Sequence, residues 1–162
     1  MLASLLQQES ILLSLQAQTR EGAFAEMIAR APAFWRFDAH KKSELLELLL
    51  QEGRPWVFAP AGTAVPSCDF SGVTEPLLLL GISRTGISFY STPSPVYVVA
   101  LLLFPENKYR SEDRFMVVSA VAGIFQDPFL RERLKIADTP EDVLEVFRRE
   151  TVPFRSPQAN LR

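Results

Sequence analysis

One cysteine, Cys68, and one histidine, His40, are all that the 162-residue sequence holds of either type. A single cysteine excludes an internal disulfide framework, and one of each cannot build a Cys/His zinc site. No aspartates and glutamates cluster at ligand spacing, so no metal is expected. Long apolar runs are missing as well. The longest, Leu77–Leu80 and Val96–Phe104, fall far short of the ~18 residues that mark a membrane helix. Met1–Leu6 is apolar but has neither a basic flank nor a long hydrophobic stretch, so it is not read as a signal peptide. An excess of one charge is also absent: 17 basic against 19 acidic residues leave a net charge of −2, with no basic block to suit nucleic acid. These absences lead to the expectation of a soluble, cytoplasmic protein without nucleic-acid partner, membrane insertion or cofactor.

What is present is 48% hydrophobic and 22% charged, too apolar for a disordered chain. One domain is expected over residues 1–150, with 151–162 a loose tail, since Val152–Arg162 has two prolines and no apolar period. Met1 points to a standalone protein. Between Gly53 and Pro105 the only charges are Arg54, Asp69, Glu75 and Arg84, and that stretch carries seven of the twelve prolines. Short apolar runs cut by Gly and Pro read as buried strands: Trp56–Ala59, Thr63–Val65, Leu77–Ser83, Ile87–Phe89 and Val96–Phe104, with Ile11–Leu15 a further short one. Arg84-Thr85-Gly86 reads as a hairpin turn, Gly86 supplying positive φ.

The flanks read as helices. Arg20–Arg30 carries Phe24, Met27 and Ile28 at helical spacing, and Ser43–Gln51 is leucine-rich with Gly53 as a stop. Glu112–Gln126 is apolar around most of its circumference, which predicts a helix packed on several sides. Asp127-Pro128 opens a helix to about Ile136, and Thr139-Pro140-Glu141-Asp142 opens the last, with Thr139 as cap and Asp142 as its capping-box partner. The expected fold class is α/β, a mixed β-sheet flanked by helices. Its expected core includes Leu78, Leu80, Val99, Leu101, Leu103, Phe115, Val118, Val121 and Phe125.

The order of these segments resembles a known family. Gly62-Thr63-Ala64-Val65-Pro66-Ser67 follows the leucine-rich helix. Glu75-Pro76-Leu77-Leu78-Leu79-Leu80-Gly81-Ile82-Ser83, Gly86–Phe89 and Val98–Glu106 come next. A long helix then ends in Phe125-Gln126-Asp127-Pro128-Phe129-Leu130-Arg131-Glu132-Arg133-Leu134, before Pro140–Leu144. This arrangement is similar to enzyme IIA of the fructose/mannitol class of the bacterial phosphoenolpyruvate-dependent phosphotransferase system, which includes the nitrogen-regulatory branch. The likeness covers roughly Leu2 to Arg149 and implies that family's fold. It also implies a histidine that takes a phosphoryl group from a small phosphocarrier protein and passes it on.

Here the sequence departs from the family pattern. The motif Gly-x-Ala-hydrophobic-Pro-His-Gly ends as Pro66-Ser67-Cys68, so Ser67 stands at the acceptor position and Cys68 follows it. Arg114 falls where the family has a second histidine. Gln51 falls where the family has an arginine, with Arg54 nearby. A hydroxyl phosphorylates to a stable ester and needs a base to attack at all, whereas an imidazole nitrogen forms a labile phosphoramidate. The chain is therefore expected to be a regulatory interaction module that carries no phosphate and has no catalytic residue. Ser67, Cys68, Arg114, Gln51 and Arg54 would form a face that binds a small anion or a protein, either a transporter or a signalling protein, with Arg114 a relic of the family's anion site. Two rivals are a working phosphocarrier using His40 or Ser67, and a small-ligand sensor in the vacated histidine site. The plain reading of His40 is a solvated helix-start residue. Ser67 reads as a small strand-end loop residue, and Cys68 as an inert thiol. Glu112 and Asp113 are partners for Arg114 within its own helix. Ser67 is expected near the C-terminal end of the Leu77–Ser83 strand or of its neighbour, with Arg114 close by.

Overall fold

The computed structural model describes residues 2–51, 56–59, 62–89 and 94–149, the segment 56–59 by its backbone alone. Gly53, Arg54 and the tail 151–162 lie outside the described residues. Five strands form a mixed sheet: β1 (Ile11–Leu12), β2 (Trp56–Ala59), β3 (Thr63–Asp69), β4 (Leu77–Ile87) and β5 (Val96–Phe104). Their spatial order is β1-β4-β5-β3-β2. β4 and β5 pair antiparallel, β5 and β3 parallel, β3 and β2 antiparallel, and β1 adds parallel to β4. The C-terminal ends of β3 and β5 therefore lie together, with the N-terminal ends of β2 and β4 beside them.

The central strands are apolar on both faces because both faces are covered. On one side, Leu78, Leu80, Ile82, Val98, Ala100, Leu102 and Phe104 pack with α3 (Ser111–Gln126), α4 (Pro128–Lys135) and α5 (Pro140–Arg148). On the other, Leu79, Val99, Leu101 and Leu103 pack with α1 (Arg20–Arg30) and α2 (Ala39–Leu50). The expected core residues thus fall into two cores divided by the sheet. Phe115 belongs to neither and is 66% exposed. On α3 it shares one face with the exposed Glu112, Ser119 and Gln126, at the three-to-four-residue spacing of a helix. The helix is not central: it lies on the sheet with one face outward.

Polar side chains at the helix starts fix the boundaries. Thr19 accepts from the Gly22 amide at 3.1 Å, and Asp127 accepts from Phe129 and Leu130 at 2.9 and 3.3 Å. The capping box at Thr139 and Asp142 forms as expected. Asp38 caps α2 by accepting from the Lys41 amide at 2.8 Å. That helix therefore begins at Ala39, a turn before the expected Ser43, and carries His40 in its first turn.

Two strand boundaries also differ from expectation. Arg84-Thr85-Gly86 is not a hairpin turn but an irregularity inside β4, where the pairing to β5 jumps from Ile82↔Val98 to Ile87↔Val96. Gly86 takes φ +100° and its amide donates to the Ser83 hydroxyl at 2.9 Å. The extra residues are absorbed as a bulge, without reversing the chain. The strand expected at Thr63–Val65 runs on to Asp69, straight through Pro66 and Ser67.

Candidate functional site at the end of strand β3

Because β3 continues past Pro66, Ser67 is a strand residue and not part of a loop. Pro66 has no N–H to give a sheet, and β2 reaches it only with its first residue, Trp56. Beyond Pro66 the described pairing of β3 is with β5 alone: Ser67 lies opposite Leu102, Cys68 opposite Leu103 and Asp69 opposite Phe104. Alternation then sorts the side chains. Ala64, Cys68 and Phe70 enter the core under α1 and α2, whereas Val65 enters the core under α3. Ser67 and Asp69 share the Val65 face and are half-buried. Ser67 sits near the C-terminal end of β5, where β4 presents its N-terminal end, since Leu102 pairs with Leu78.

Arg114 comes to this face from the first turn of α3. Its Nη1 donates to both carboxylate oxygens of Asp69 at 2.6 Å, and its Nη2 donates to the Ser111 hydroxyl at 3.2 Å. The partner of Arg114 is thus Asp69, 45 residues away, rather than the adjacent Glu112 or Asp113. Both side chains are about one third exposed (33% and 31%), so the pair lies at the surface where water reaches it. Arg114 reaches the face of the sheet that carries Ser67, because its partner Asp69 is two residues from Ser67 on that face. Asp69 was not among the expected site residues. Its signal was legible: it is one of four charges in a long apolar stretch, at strand period from Ser67.

Of the other expected residues, Cys68 lies on the opposite face of the sheet. Cys68 points through the sheet and is 6% exposed, inside the opposite core. Gln51 is exposed at the end of α2, five residues before the Trp56 that pairs with Pro66. Arg54 lies outside the described residues. His40 is exposed on α2, across the sheet from the face of Ser67 and Arg114. The turn before α2 packs on the chain just after β3: Phe37 meets Phe70 edge to face at 5.7 Å, and the Lys41 ammonium donates to the Ser71 hydroxyl. This turn carries Trp35, which is 69% exposed. Two outward aromatic rings, Trp35 two residues before Phe37 and Phe115 next to Arg114, thus belong to opposite layers. Elsewhere, a shallow groove of about 230 Å³ between α1 and α2 is lined by Ala25, Ile28, Ala29, Lys42, Ser43 and Leu46, away from Ser67. No group of three or more potential metal ligands occurs among the described residues.

Residues 4–150 match the family model described as "Phosphoenolpyruvate-dependent sugar phosphotransferase system, EIIA 2". The chain belongs to this family. The enzyme IIA fold is shared with the nitrogen regulatory protein IIA-Ntr of Neisseria meningitidis, 22% identical, with a TM-score of 0.75 over 90% of this chain and 97% of that one. It is shared with a putative phosphotransferase-system IIA (PtxA) of Streptococcus mutans, 20% identical, with a TM-score of 0.70 over 94% and 96%. The mannitol IIA of Escherichia coli, 18% identical, superimposes with a TM-score of 0.60 over 87% and 97%. Among curated proteins none matches this sequence. No helix among the described residues is long and apolar enough to cross a membrane.

Proposed function

We propose that this enzyme IIA-like chain, of nitrogen-regulatory type, is a cytoplasmic regulatory interaction module that carries no phosphate. The observation that supports the reading is the pairing of Arg114 with Asp69 on the face of Ser67, the residue that aligns with the family's acceptor histidine. Phosphoryl transfer needs a nucleophile in line with the donor and cationic groups ready to take the charge of the transferring oxygens. Here the hydroxyl has no imidazole beside it, the one histidine lies across the sheet, and the nearby guanidinium already faces a carboxylate. The surface next to Arg114 suits docking instead: Phe115 is a large exposed aromatic side chain, the kind that anchors protein interfaces. In a structural relative, mannitol IIA of Escherichia coli is seen in complex with phosphorylated IIB. By analogy the partner of this chain is a phosphotransferase-system protein or a transporter or signalling protein. The chain engages it in a single, unswitched charge state.

The test combines labelling with binding. The chain is incubated with labelled phosphoenolpyruvate, enzyme I and the phosphocarrier protein, and its isotope-labelled form is titrated with the carrier and with a IIB domain. The expected result is no label on the chain, together with resonance shifts at Ser67, Arg114 and Phe115 on adding one of the proteins. Rapid acid-labile labelling lost in His40→Ala, or acid-stable labelling lost in Ser67→Ala, would establish a working carrier instead.

A further inference from the structure

We infer that Arg114, Ser67 and Ser111 form a latent anion site that Asp69 fills from within the same chain. The inference rests on the reading of this corner as the functional face and adds how its charge is fixed. A guanidinium takes a carboxylate or a phosphate through the same N–H donors, so an aspartate seated on it competes with any incoming phosphoryl group. Asp69 is well placed to compete. Its backbone pairs with Phe104 of β5, and the amide of the next residue, Phe70, donates to the Phe104 carbonyl at 2.8 Å, so the carboxylate is held on a rigid strand. Arg114 stands in the first turn of α3, where the helix dipole disfavours a cation, and an anion at that point answers the mismatch. The Ser111 hydroxyl already accepts from the guanidinium, and the Ser67 side chain lies on the same face as Asp69.

Tethering sets the balance. A carboxylate on the same strand-held chain needs no diffusional encounter and so competes continuously with free phosphate for the guanidinium donors. Glu112 and Asp113, in the same first turn, also repel an anion from outside, whereas Arg110 at the N-cap attracts it. The face thus stays close to neutral whatever the phosphate level, without the swing in charge that a phosphorylated side chain would bring.

The experiment replaces the carboxylate by its neutral isostere. Inorganic phosphate is titrated, at constant ionic strength, into the native chain, Asp69→Asn and Asp69→Asn/Arg114→Met, and the side-chain Nε–H of Arg114 and the amides of residues 67 and 111 are followed by NMR. The expected result is saturable binding by Asp69→Asn about two- to fivefold tighter than by the native chain, abolished in the double variant. Should Asp69→Asn fail to fold, Asp69→Thr serves in its place, as a β-branched residue suited to a strand. Equal binding by native and variant chains, no binding by either folded variant, or binding that survives Arg114→Met overturns the inference. No protein partner enters this titration, so its failure is distinct from failure of the docking reading.

Discussion

Phe115 and Leu101 have the same apolar character in the sequence and opposite fates in the fold. Leu101 is fully buried on β5, in the core under α1 and α2. Leu101→Ala removes that packing and leaves a cavity, and is expected to cost about 2–5 kcal/mol in urea unfolding. Phe115 has solvent over most of its ring, so Phe115→Ser is expected to change stability by less than about 0.5 kcal/mol. The same substitution should weaken partner binding at the Ser67 face, measured in the protein titration. A loss of folding stability without a loss of binding would show that the ring serves packing. Arg114 makes the same point about charge. Its partner could not be chosen from sequence neighbours, because Glu112, Asp113 and Asp69 differ in position only once β3 and α3 are docked.

At the scale of elements, the starts of helices were legible because a cap is local chemistry. Thr139 and Asp142 satisfy each other's backbone amides within four residues, with no help from the rest of the fold. Thr139→Ala should cost about 1 kcal/mol. The Asp142 carboxyl is held below its ordinary value, mainly by the Asp138 amide that donates to it and next by Thr139. A carboxyl with a lowered folded-state value stays ionised in the fold at pH values where the unfolded chain takes up a proton. Its contribution is therefore complete above the usual carboxylate range near 3.8 and is lost as pH falls through the lowered value. Thermal melts of native and Asp142→Asn chains should converge at acid pH and separate towards neutrality. Strand ends were less legible. Pro66 and the Ser83–Gly86 bulge look like breaks in a sequence, yet the sheet tolerates a proline where β2 gives out and absorbs extra residues by the positive φ of Gly86. Gly86→Ala forces a left-handed backbone on a residue with a Cβ, 2.8 Å from the Pro95 side chain, and should cost about 1–3 kcal/mol in unfolding.

For the whole molecule, the sheet is a partition. It places Ser67, Asp69 and Arg114 on one side, and His40 and Cys68 on the other, so the chain's two side chains best suited to nucleophilic chemistry are kept from the face of Ser67. Ser67→His alone is expected to give little phosphate labelling from the carrier protein, because Arg114 remains held by Asp69 and Gln51 occupies the supporting position. Adding Asp69→Asn, Arg114→His and Gln51→Arg should raise labelling above the single change. Labelling by Ser67→His alone at a rate matching an active enzyme IIA would show that those supporting positions are dispensable.

By itself the sequence determined the α/β class, five helices and the family, but it suggested six strand segments, of which the fold joins Leu77–Ser83 and Ile87 in the single strand β4. Those follow from periodicity, caps and segment order, which are local properties written residue by residue. The contiguous frame Gly62–Pro66 is also what supports the proposed alignment of Ser67 with the family's histidine. Only the tertiary structure decided which layer each helix covers, that the apolar α3 leaves Phe115 outside, and that Asp69 answers Arg114. The physical reason is separation along the chain: a contact between residues 69 and 114 depends on β5 pairing with β3 and on α3 folding back over their common face. That register is the joint outcome of two cores packing on opposite sides of one sheet.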